Sequence, residues 1–486
     1  MSSKRSAFLL VALCALCCSA RAGTNGLDSS FGSGGIVALG ATPSSALAIH
    51  RVRAVAADAA GRILVGGMFI DSSLQSSFND IPAIGRLDAQ GNWDPTFGDH
   101  GIFVLPYGAS SAPYGGSVDR IAVLSDDGVL ISGTSFRDGF GRIGPFNSCT
   151  LLIKLTNAGA LDTTFAADNS GSMCFDFAPP GDIQWQHHPD AIAARADDSF
   201  YMASPTTNIV GDDPSILIGA VARFDKNGVL DPEFGSGGIV QLVGLGAYHL
   251  LSMPGGGVLA AGGSSIFAAT LLDDSGSPDA GYGTQGVAVF DPQQSSFGGV
   301  MQISFDSQQR LVVGQIYERL DSSFAYGIVR LTGDGHGDNS FNGAGQQPGI
   351  PGSAIPEVSG GAESDFLTGA LPLPDGHILV VGDAGPVSSG DGQSNVAVLR
   401  LNSDASYDAS FGDAAHPGWA SINIGGTNAS WASAKALAPD HAGRALAAIA
   451  VNPDGGYPGC TAIVRLMTDR VASDGFEDGP VFPACP

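Results

Sequence analysis

Two kinds of charged residue recur along this 486-residue chain at a spacing that would let them form ion pairs. A pattern of apolar strand, turn, aspartate, aromatic residue three positions later and further strand occurs seven times. Its aspartates are Asp28, Asp94, Asp162, Asp231, Asp279, Asp338 and Asp408. A basic residue recurs in six of the seven units, at Arg86, Lys154, Arg223, Arg330, Arg400 and Arg465. A guanidinium within a buried strand needs an acceptor, so we expect charge-assisted hydrogen bonds between the basic residue and the aspartate of each unit.

Two other roles remain open for these residues. The arginines could instead form a ring that lines a channel for an anionic ligand. The aspartates could cap their own turns by accepting hydrogen bonds from backbone N–H groups. The fourth unit has Leu271 at the basic position but keeps Asp279, which favours some contribution from capping.

Residue patterns of known catalytic and metal sites are absent from the sequence. There is no G-x-S-x-G, H-E-x-x-H or Walker motif, and no C-x-x-C after residue 22. His187 and His188 are adjacent, so on a strand they would point to opposite faces. The acidic stretches Asp334–Asn339 and Ser473–Gly479 would suit calcium, but neither has the D-x-D-x-D-G spacing. We therefore expect no catalytic residues and no cofactor, and solvated turns are the simpler interpretation of the acidic stretches.

Short apolar strands joined by tight turns surround these charged residues. A hairpin pattern, in which an apolar strand, a turn and a second apolar strand follow one another, occurs seven times, at Ala54–Gly67, Ile121–Gly133, Ala191–Ser204, Leu250–Gly263, Ile303–Gly314, Ala370–Gly382 and Ala434–Ala450. Successive motif aspartates lie 48 to 70 residues apart, which leaves room for about four strands in each unit. The pattern predicts an all-β protein of seven four-stranded units.

The two ends of the chain carry complementary parts of one unit. The sequence begins with the end of an aspartate motif, LDSSFGSGGIV at Leu27 to Val37, and finishes with the start of one, at Thr461 to Arg470. A linear solenoid gains nothing from this division, whereas a ring is held closed by it. We therefore predict a seven-bladed β-propeller closed by pairing of the N-terminal and C-terminal segments. A parallel β-helix is the alternative, but it favours shorter periods.

The segments LPDGHILVVG (Leu373 to Gly382) and LDPEFGSGGIV (Leu230 to Val240) resemble the delta-60 repeats of bacterial exported proteins. The resemblance extends over about residues 23–470. It implies a repeat fold of the propeller kind and brings no catalytic motif with it.

The four cysteines that follow the N-terminal segment predict disulfides. Cys149 and Cys174 are 25 residues apart, and so are Cys460 and Cys485. Three pairings are possible, and free buried thiols are a further alternative. The equal spacing and the similar contexts SCTLLIKL and GCTAIVRL favour Cys149 with Cys174 and Cys460 with Cys485.

Residues 1–22 have the features of a signal peptide: Lys4 and Arg5, the apolar stretch from Phe8 to Cys18, and an A-x-A site ending at Ala22. We therefore divide the chain into a signal peptide (1–22), a propeller (23–470) and a C-terminal tail (471–486), and expect export to the periplasm or the medium. Removing the signal peptide moves the formal charge from −25 to −28, which disfavours nucleic-acid binding. No later stretch is apolar enough to suggest membrane insertion, and we expect a monomer.

Two classes of function fit this description. The first is a noncatalytic exported scaffold that binds a ligand, an extracellular protein or a glycan through its loops. The second is a carbohydrate-active hydrolase or lyase built on a propeller. Convergence of histidines and carboxylates from several units at one end of the axis would favour the enzyme, and a lining of Ser, Gly and Ala would exclude it.

Overall fold

The structure, a computed structural model, describes most of the strands and the tight turns of the chain. The described residues are 26–39, 42–43, 47–71, 80–105, 116–135, 149–175, 177, 191–207, 217–263, 266–290, 296–343, 351–358, 364–385, 395–412, 416–422, 431–452 and 460–467. The predicted signal peptide (1–22) and tail (471–486) lie outside them.

Every regular element in the described part of the chain is a β-strand. In chain order these are β1 (Ile36–Ala38), β2 (Leu47–Ala57), β3 (Ile63–Asp71), β4 (Asp80–Leu87), β5 (Ile102–Val104), β6 (Gly116–Val123), β7 (Val129–Ser135), β8 (Cys149–Leu155), β9 (Ser172–Phe175), β10 (Ala191–Ala194), β11 (Phe200–Thr207), β12 (Leu217–Phe224), β13 (Ile239–Val243), β14 (His249–Ser252), β15 (Val258–Gly262), β16 (Phe267–Leu272), β17 (Val287–Phe290), β18 (Ser296–Phe305), β19 (Leu311–Glu318), β20 (Phe324–Leu331), β21 (Ser353–Ala354), β22 (Phe366–Pro372), β23 (Ile378–Ala384), β24 (Asn395–Leu401), β25 (Trp419–Ile422), β26 (Trp431–Pro439), β27 (Ala445–Asn452) and β28 (Cys460–Leu466). No helix among the described residues is long and apolar enough to cross a membrane.

The strands form seven antiparallel sheets of four strands each. Six blades consist of four consecutive strands, beginning with β2 to β5 and ending with β22 to β25. The first strands of neighbouring blades contact one another in a closed circle that includes β2 against β26. The predicted seven-bladed β-propeller is therefore confirmed, and the first strand of each blade is the innermost one.

The seventh blade joins the two ends of the chain, as the sequence predicts. Its order is β26, β27, β28 and then β1, and Ile36, Val37 and Ala38 pair with Val464, Ile463 and Ala462. Because β1 is the outermost strand of this blade, the ring is closed by backbone hydrogen bonds between the N-terminal and C-terminal segments.

The hydrophobic core lies between the blades. The aromatic residue of each aspartate motif is at most 4% exposed and packs in the cluster between its own blade and the next one. These residues are Phe31, Phe97, Phe165, Phe234, Tyr282, Phe341 and Phe411. Burying an aromatic side chain of this size stabilises a fold by roughly 1.5 to 3 kcal/mol, so the recurrent aromatic residue explains much of the contact between blades.

The connections between the strands of a blade differ in regularity. We call the end at which the innermost strands begin the upper end. At the lower end, every connection between the first and second strands of a blade has five residues. At the upper end, the connections between second and third strands range from four to 13 residues.

Candidate functional site: the axial channel

The recurrent arginines lie against the aspartates of their own units. In five units the arginine Nε donates a hydrogen bond to the aspartate Oδ2: Arg86 to Asp94 at 2.8 Å, Arg223 to Asp231 at 2.9 Å, Arg330 to Asp338 at 2.8 Å, Arg400 to Asp408 at 2.6 Å and Arg465 to Asp28 at 2.8 Å. In the second unit Lys154 Nζ lies 3.1 Å from Asp162 Oδ2. The pair formed by Arg465 and Asp28 joins the C-terminal segment to the N-terminal segment.

The same guanidinium groups also connect neighbouring blades. Arg330 Nη1 donates to the Ser403 carbonyl at 2.6 Å, and Arg465 Nη1 donates to the Ala89 carbonyl at 2.7 Å. In both cases the acceptor belongs to the next blade around the ring. Arg330 also stacks on Phe341, with 4.5 Å between the guanidinium carbon and the ring centroid. Arg330 and Arg465 each contribute an ion pair, a bond to the next blade and a cation–π contact.

The aspartates also cap their own turns. Asp94 Oδ1 accepts hydrogen bonds from the Thr96 backbone N–H at 3.0 Å and from Thr96 Oγ1 at 2.6 Å. Burial alone would raise the pKa of Asp94, but the bonds from Thr96 and the charge of Arg86 outweigh it and lower the pKa. Asp279, in the unit without a basic residue, is exposed and accepts only the Gly281 N–H at 2.9 Å among its described side-chain bonds. Both roles considered for the aspartates are therefore present together.

A separate set of charged residues lines the axial channel. A cavity of about 420 Å³ lies on the axis, with residues from the innermost strand region of all seven blades in its wall. Among the described lining residues, none belongs to the recurrent arginine–aspartate pairs. The basic residues of the wall are Arg53, Arg120 and Lys435, which come from the first, second and seventh blades. These three blades are adjacent, so the basic residues lie on one side of the channel.

Bulges in the innermost strands place residues at the channel. The pairing of β2 with β3 skips Arg53, and the pairing of β6 with β7 skips Asp119. Thr368 and Lys435 occupy the same place in β22 and β26. Because a bulge adds one residue to a strand and re-aims its side chain, it can direct a polar group to the axis rather than into the space between blades.

The hairpin glycine provides the space for the bulge. Gly67, opposite Val52, could not carry a side chain, because a Cβ there would lie 2.0 Å from the Arg51 carbonyl oxygen. Gly133 and Gly382 stand in the same relation to the bulges of the second and sixth blades, at 2.2 Å and 2.5 Å. In these three blades, the glycine at the end of the hairpin pattern is therefore required because any side chain would clash with the bulge.

The residue at the level of the bulge differs among the described blades. We call the residues four positions before the end of each innermost strand the upper ring; they are Arg53, Asp119, Tyr248, Met301, Thr368 and Lys435, and residue 190 of the third blade lies outside the described residues. We call the residues two positions before the end the lower ring; they are Val55, Ile121, Ile192, Leu250, Ile303, Ala370 and Leu437. All members of the lower ring are aliphatic. In a repeat protein, a position that varies among otherwise similar units is not set by the fold.

Arg120 differs from Arg53 in that it forms no ion pair with a described carboxylate. Its one described side-chain hydrogen bond runs from Nη1 to the Asp119 carbonyl at 2.8 Å. The neighbouring Arg53 is half exposed and lies 3.5 Å from Asp119 Oδ1, which also accepts a bond from Ser117 Oγ at 2.6 Å. Arg120 therefore presents a charge that pairs with no described carboxylate.

Lys435 lies beside a buried carboxylate. Its Nζ donates to Ser433 Oγ, and Ser433 in turn donates to Asp383 Oδ2. Burial raises the pKa of Asp383, although the bonds from Ser433 and Ala434 and the charge of Lys435 oppose that rise. Lys435 is itself exposed at the channel.

On the opposite side of the channel, the described lining residues carry no charge at pH 7. His249 Nε2 donates to the Val300 carbonyl at 2.9 Å, which joins the fourth and fifth blades. Burial lowers the pKa of His249 to about 4, and the charge of Arg120 acts in the same direction, so the imidazole is neutral at pH 7. Met301, next to it in the fifth blade, is 42% exposed.

The lower part of the channel is narrowed by a contact across a glycine. Gln302 Nε2 of the fifth blade donates to the Leu437 carbonyl of the seventh at 3.3 Å. It passes over Gly369 of the sixth blade, where a Cβ would lie 2.2 Å from Gln302 Oε1. The channel thus has a charged upper part and an aliphatic lower part.

Few of the predicted disulfide cysteines lie within the described residues. Cys174, in β9, is disulfide-bonded, and β9 pairs with β8, which begins at Cys149. The identity of its partner stays a prediction, because the side chain of Cys149 lies outside the described residues, as do that of Cys460 and the whole of Cys485. His187, His188 and the stretch 473–479 also lie outside them. In the part of the chain that is described, no three His, Cys, Asp or Glu residues are grouped to hold a metal ion.

Sequence reasoning missed the upper ring because it looked for residues that recur. Aligning the seven hairpins on their five-residue turns would have shown one position at which six residue types occur among the seven blades. An enzyme would be expected to bring histidines and carboxylates from several units together at the channel. Only one described histidine, His249, and one described carboxylate, Asp119, line the cavity, so this expectation is met in part.

Comparison with known proteins agrees with the fold. Residues 373–411 match a family model described as "Domain of unknown function (DUF5122) beta-propeller". The match supports a family of β-propeller repeats. It covers the turn of one hairpin through to the next aspartate motif, and the delta-60 name stays a prediction. A search of curated proteins finds no match.

Solved structures with similar propellers have low sequence identity to this chain. They include a protein of unknown function from Dyadobacter fermentans DSM 18053 (11% identity, 89% of this chain and 99% of that chain covered, TM-score 0.41) and the Dos1 propeller (11%, 87% and 93%, 0.40). The polysaccharide lyase Uly1 is 8% identical, with 85% of this chain and 89% of that chain covered and a TM-score of 0.43. At these scores the likeness says nothing about activity.

Proposed function

We propose that this chain is an exported, noncatalytic β-propeller that binds an anionic ligand in the upper part of its axial channel. The observation that carries the proposal is the position of Arg53, Arg120 and Lys435 on three adjacent blades. The whole chain has only 22 lysines and arginines, against 47 aspartates and glutamates. Three basic side chains at one cavity, none of them in a repeat ion pair, fit ligand binding better than fold maintenance.

The protein acts outside the cytoplasm, in the periplasm or the medium, as a monomer and without a resident cofactor in this proposal. A small anionic molecule or an acidic glycan is the expected ligand class, and an extracellular protein could present the same chemistry. Nucleic acid is disfavoured by the net charge of −25.

A thermal-shift screen of the mature chain tests the proposal. The panel contains acetate, glucuronate, acidic and neutral oligosaccharides, Ca²⁺ and EDTA. A ligand present at 100 times its dissociation constant adds about 2.7 kcal/mol to the free energy of unfolding. We expect stabilisation by anions and none by neutral sugars, and loss of that stabilisation in Arg120→Met. Lys226→Met, which removes an exposed basic residue away from the channel, is the matched control. Equal responses to anions and neutral sugars would contradict the proposal, and destabilisation by EDTA would contradict the absence of a cofactor.

A carbohydrate-active hydrolase or lyase is the second candidate, and one observation favours it. His249 is neutral and lines the same cavity as Asp119. Paired-carboxylate glycoside hydrolysis would need a second carboxylate facing the first. Incubation with acidic polysaccharides, followed by assays for new reducing ends and for unsaturated sugars, distinguishes turnover from binding. Turnover that is lost in His249→Ala would replace the binding proposal with an enzymatic one.

A further inference from the structure

We propose that the ligand of the axial channel is a small amphipathic carboxylate whose charged head lies at the upper ring and whose apolar body extends to the lower ring. The inference rests on the proposed function and specifies the ligand class. The observation behind it is that the channel changes in character along its axis: charged residues lie in the upper ring, and aliphatic residues form the lower ring.

The head group has a defined position. Arg120 has no described carboxylate partner, and the adjacent blades bring Arg53 and Lys435 to the same side. A guanidinium with free N–H donors binds a carboxylate through two parallel hydrogen bonds, which is the strongest arrangement for this pair of groups. The opposite wall carries neutral His249, so among the described residues the charged groups of the upper ring lie on one side.

The body of the ligand has an apolar surface to bind. Met301 is 42% exposed at the upper ring, although large apolar side chains in this protein are mostly buried. A flexible thioether that remains accessible is suited to contact with an apolar ligand. In the lower ring, Val55, Ile121 and Ile192 line the same cavity and are partly exposed.

The distance between the two rings sets the shape of the ligand. Equivalent positions are two residues apart along a strand, which is about 6.6 Å. The Arg120 guanidinium lies at the level of the upper ring, because its Nη1 donates to the carbonyl of Asp119. A carboxylate held there would place its fourth to eighth carbons among the lower-ring side chains. A uronic acid or a sulfated sugar would put hydroxyl groups against these aliphatic residues and would lose their hydration without compensation.

Isothermal titration of the mature chain with acetate, butyrate, hexanoate and octanoate tests the inference. Each methylene that enters the lower ring is expected to lower Kd about fourfold. We expect octanoate to bind most tightly, and 1-octanol and glucuronate to bind at least tenfold more weakly. Arg120→Met should raise the Kd of octanoate at least tenfold without changing the slope with chain length.

Two variants distinguish the loss of contacts with the apolar part of the ligand from a loss of folding. Met301→Gln changes an exposed side chain and should weaken octanoate about fivefold while leaving acetate unchanged. Val289→Gln, at an exposed apolar residue on the outermost strand β17, is the matched control and should change neither. Thermal melting of each variant confirms that the fold is retained.

The possible outcomes distinguish this inference from the proposed function. If glucuronate binds in an Arg120-dependent manner and affinity does not rise with chain length, the anion site stands and the amphipathic ligand is refuted. If no anion binds, both proposals fail. If octanoate affinity rises with chain length but is unaffected by Arg120→Met and by Met301→Gln, the ligand binds elsewhere and the inference is refuted.

Discussion

Asp28 is the residue whose substitution tests ring closure most directly. Its Oδ2 accepts a hydrogen bond from Arg465 Nε at 2.8 Å and one from Arg444 Nη1, and its Oδ1 accepts Ser30 Oγ at 2.6 Å. Only 8% of the Asp28 side chain is exposed. In Asp28→Asn the Oδ1 bonds can persist, but an amide replaces the carboxylate that faces two guanidinium groups.

The expected loss of stability follows from this arrangement. Removing one member of a buried ion pair costs about 3 to 5 kcal/mol, and the 23% exposure of the Arg444 side chain points to the lower end, about 3 kcal/mol. The entropy of unfolding is about 2.1 cal/mol/K per residue, or roughly 0.9 kcal/mol/K for a propeller of this length. Asp28→Asn should therefore lower Tm by about 3 °C in differential scanning calorimetry at pH 7.

Asp279→Asn provides the matched control. Asp279 occupies the same motif position in the fourth blade but has no basic partner there, and asparagine can keep the bond from the Gly281 N–H. We expect a change in Tm of less than about 1 °C, in keeping with the small effects of most exposed substitutions. If the two substitutions lower Tm equally, the stabilisation does not come from the ion pair, and the reasoning is refuted.

The effect of Asp28→Asn should also depend on pH. Burial would raise the pKa of Asp28, but the bonds from Ser30 and the charges of Arg465 and Arg444 outweigh it and lower the pKa below 3.8. A carboxylate with a lowered pKa in the folded state stabilises the fold above its unfolded pKa, and this stabilisation is lost as pH falls through the folded pKa. The difference in Tm between the two proteins should thus be constant from pH 5 to 7 and shrink below about pH 4. A difference that grows on acidification would contradict the assignment.

Three further predictions concern the bulges, the disulfide and the N-terminal strand. Gly67→Ala should lower the free energy of unfolding in urea by about 2 to 3 kcal/mol, because the new Cβ would meet the Arg51 carbonyl. Gly255→Ala is the control and should be nearly neutral, because no atom lies within 4 Å of a Cβ there. Similar urea midpoints for the two variants would refute the steric argument. Peptide mapping without reduction should recover Cys149 linked to Cys174, and recovery of any other pair would overturn the spacing argument. Deleting residues 23–39 should destabilise the whole ring cooperatively, because β28 loses its partner strand; an unchanged calorimetric transition would show that β1 is dispensable.

The architecture could be predicted from the sequence because it depends on repetition. Seven hairpins, seven aspartate motifs and the divided unit at the termini specify the number of blades and the closing strand without three-dimensional information. The contact between Arg465 and Asp28 follows from the same division, since it joins the two halves of one unit.

The site could not be predicted in the same way, for two physical reasons. Strand alternation would send consecutive residues to opposite faces, but the bulge at Arg53 and Lys435 breaks that alternation, and its position is visible only in the pairing register. The pKa of His249 depends on burial between two blades and on the charge of Arg120, and no local sequence pattern encodes either.

The two sets of basic residues explain how one repeat can serve both stability and binding. The recurrent arginines lie in third strands, near the lower-end turns, where every unit presents the same aspartate and aromatic residue. They are therefore held by the repeat and are not free to change. In five blades the described first strand carries a bulge that adds one residue, and in three of these a glycine lies opposite and makes room for it. The bulge calls for an extra residue and not for a particular side chain. Substitution there alters the channel of a propeller while leaving the contacts between its blades intact, and the mixture of Arg53, Asp119, Met301, Thr368 and Lys435 at one level is the pattern that such freedom under selection for a ligand would produce.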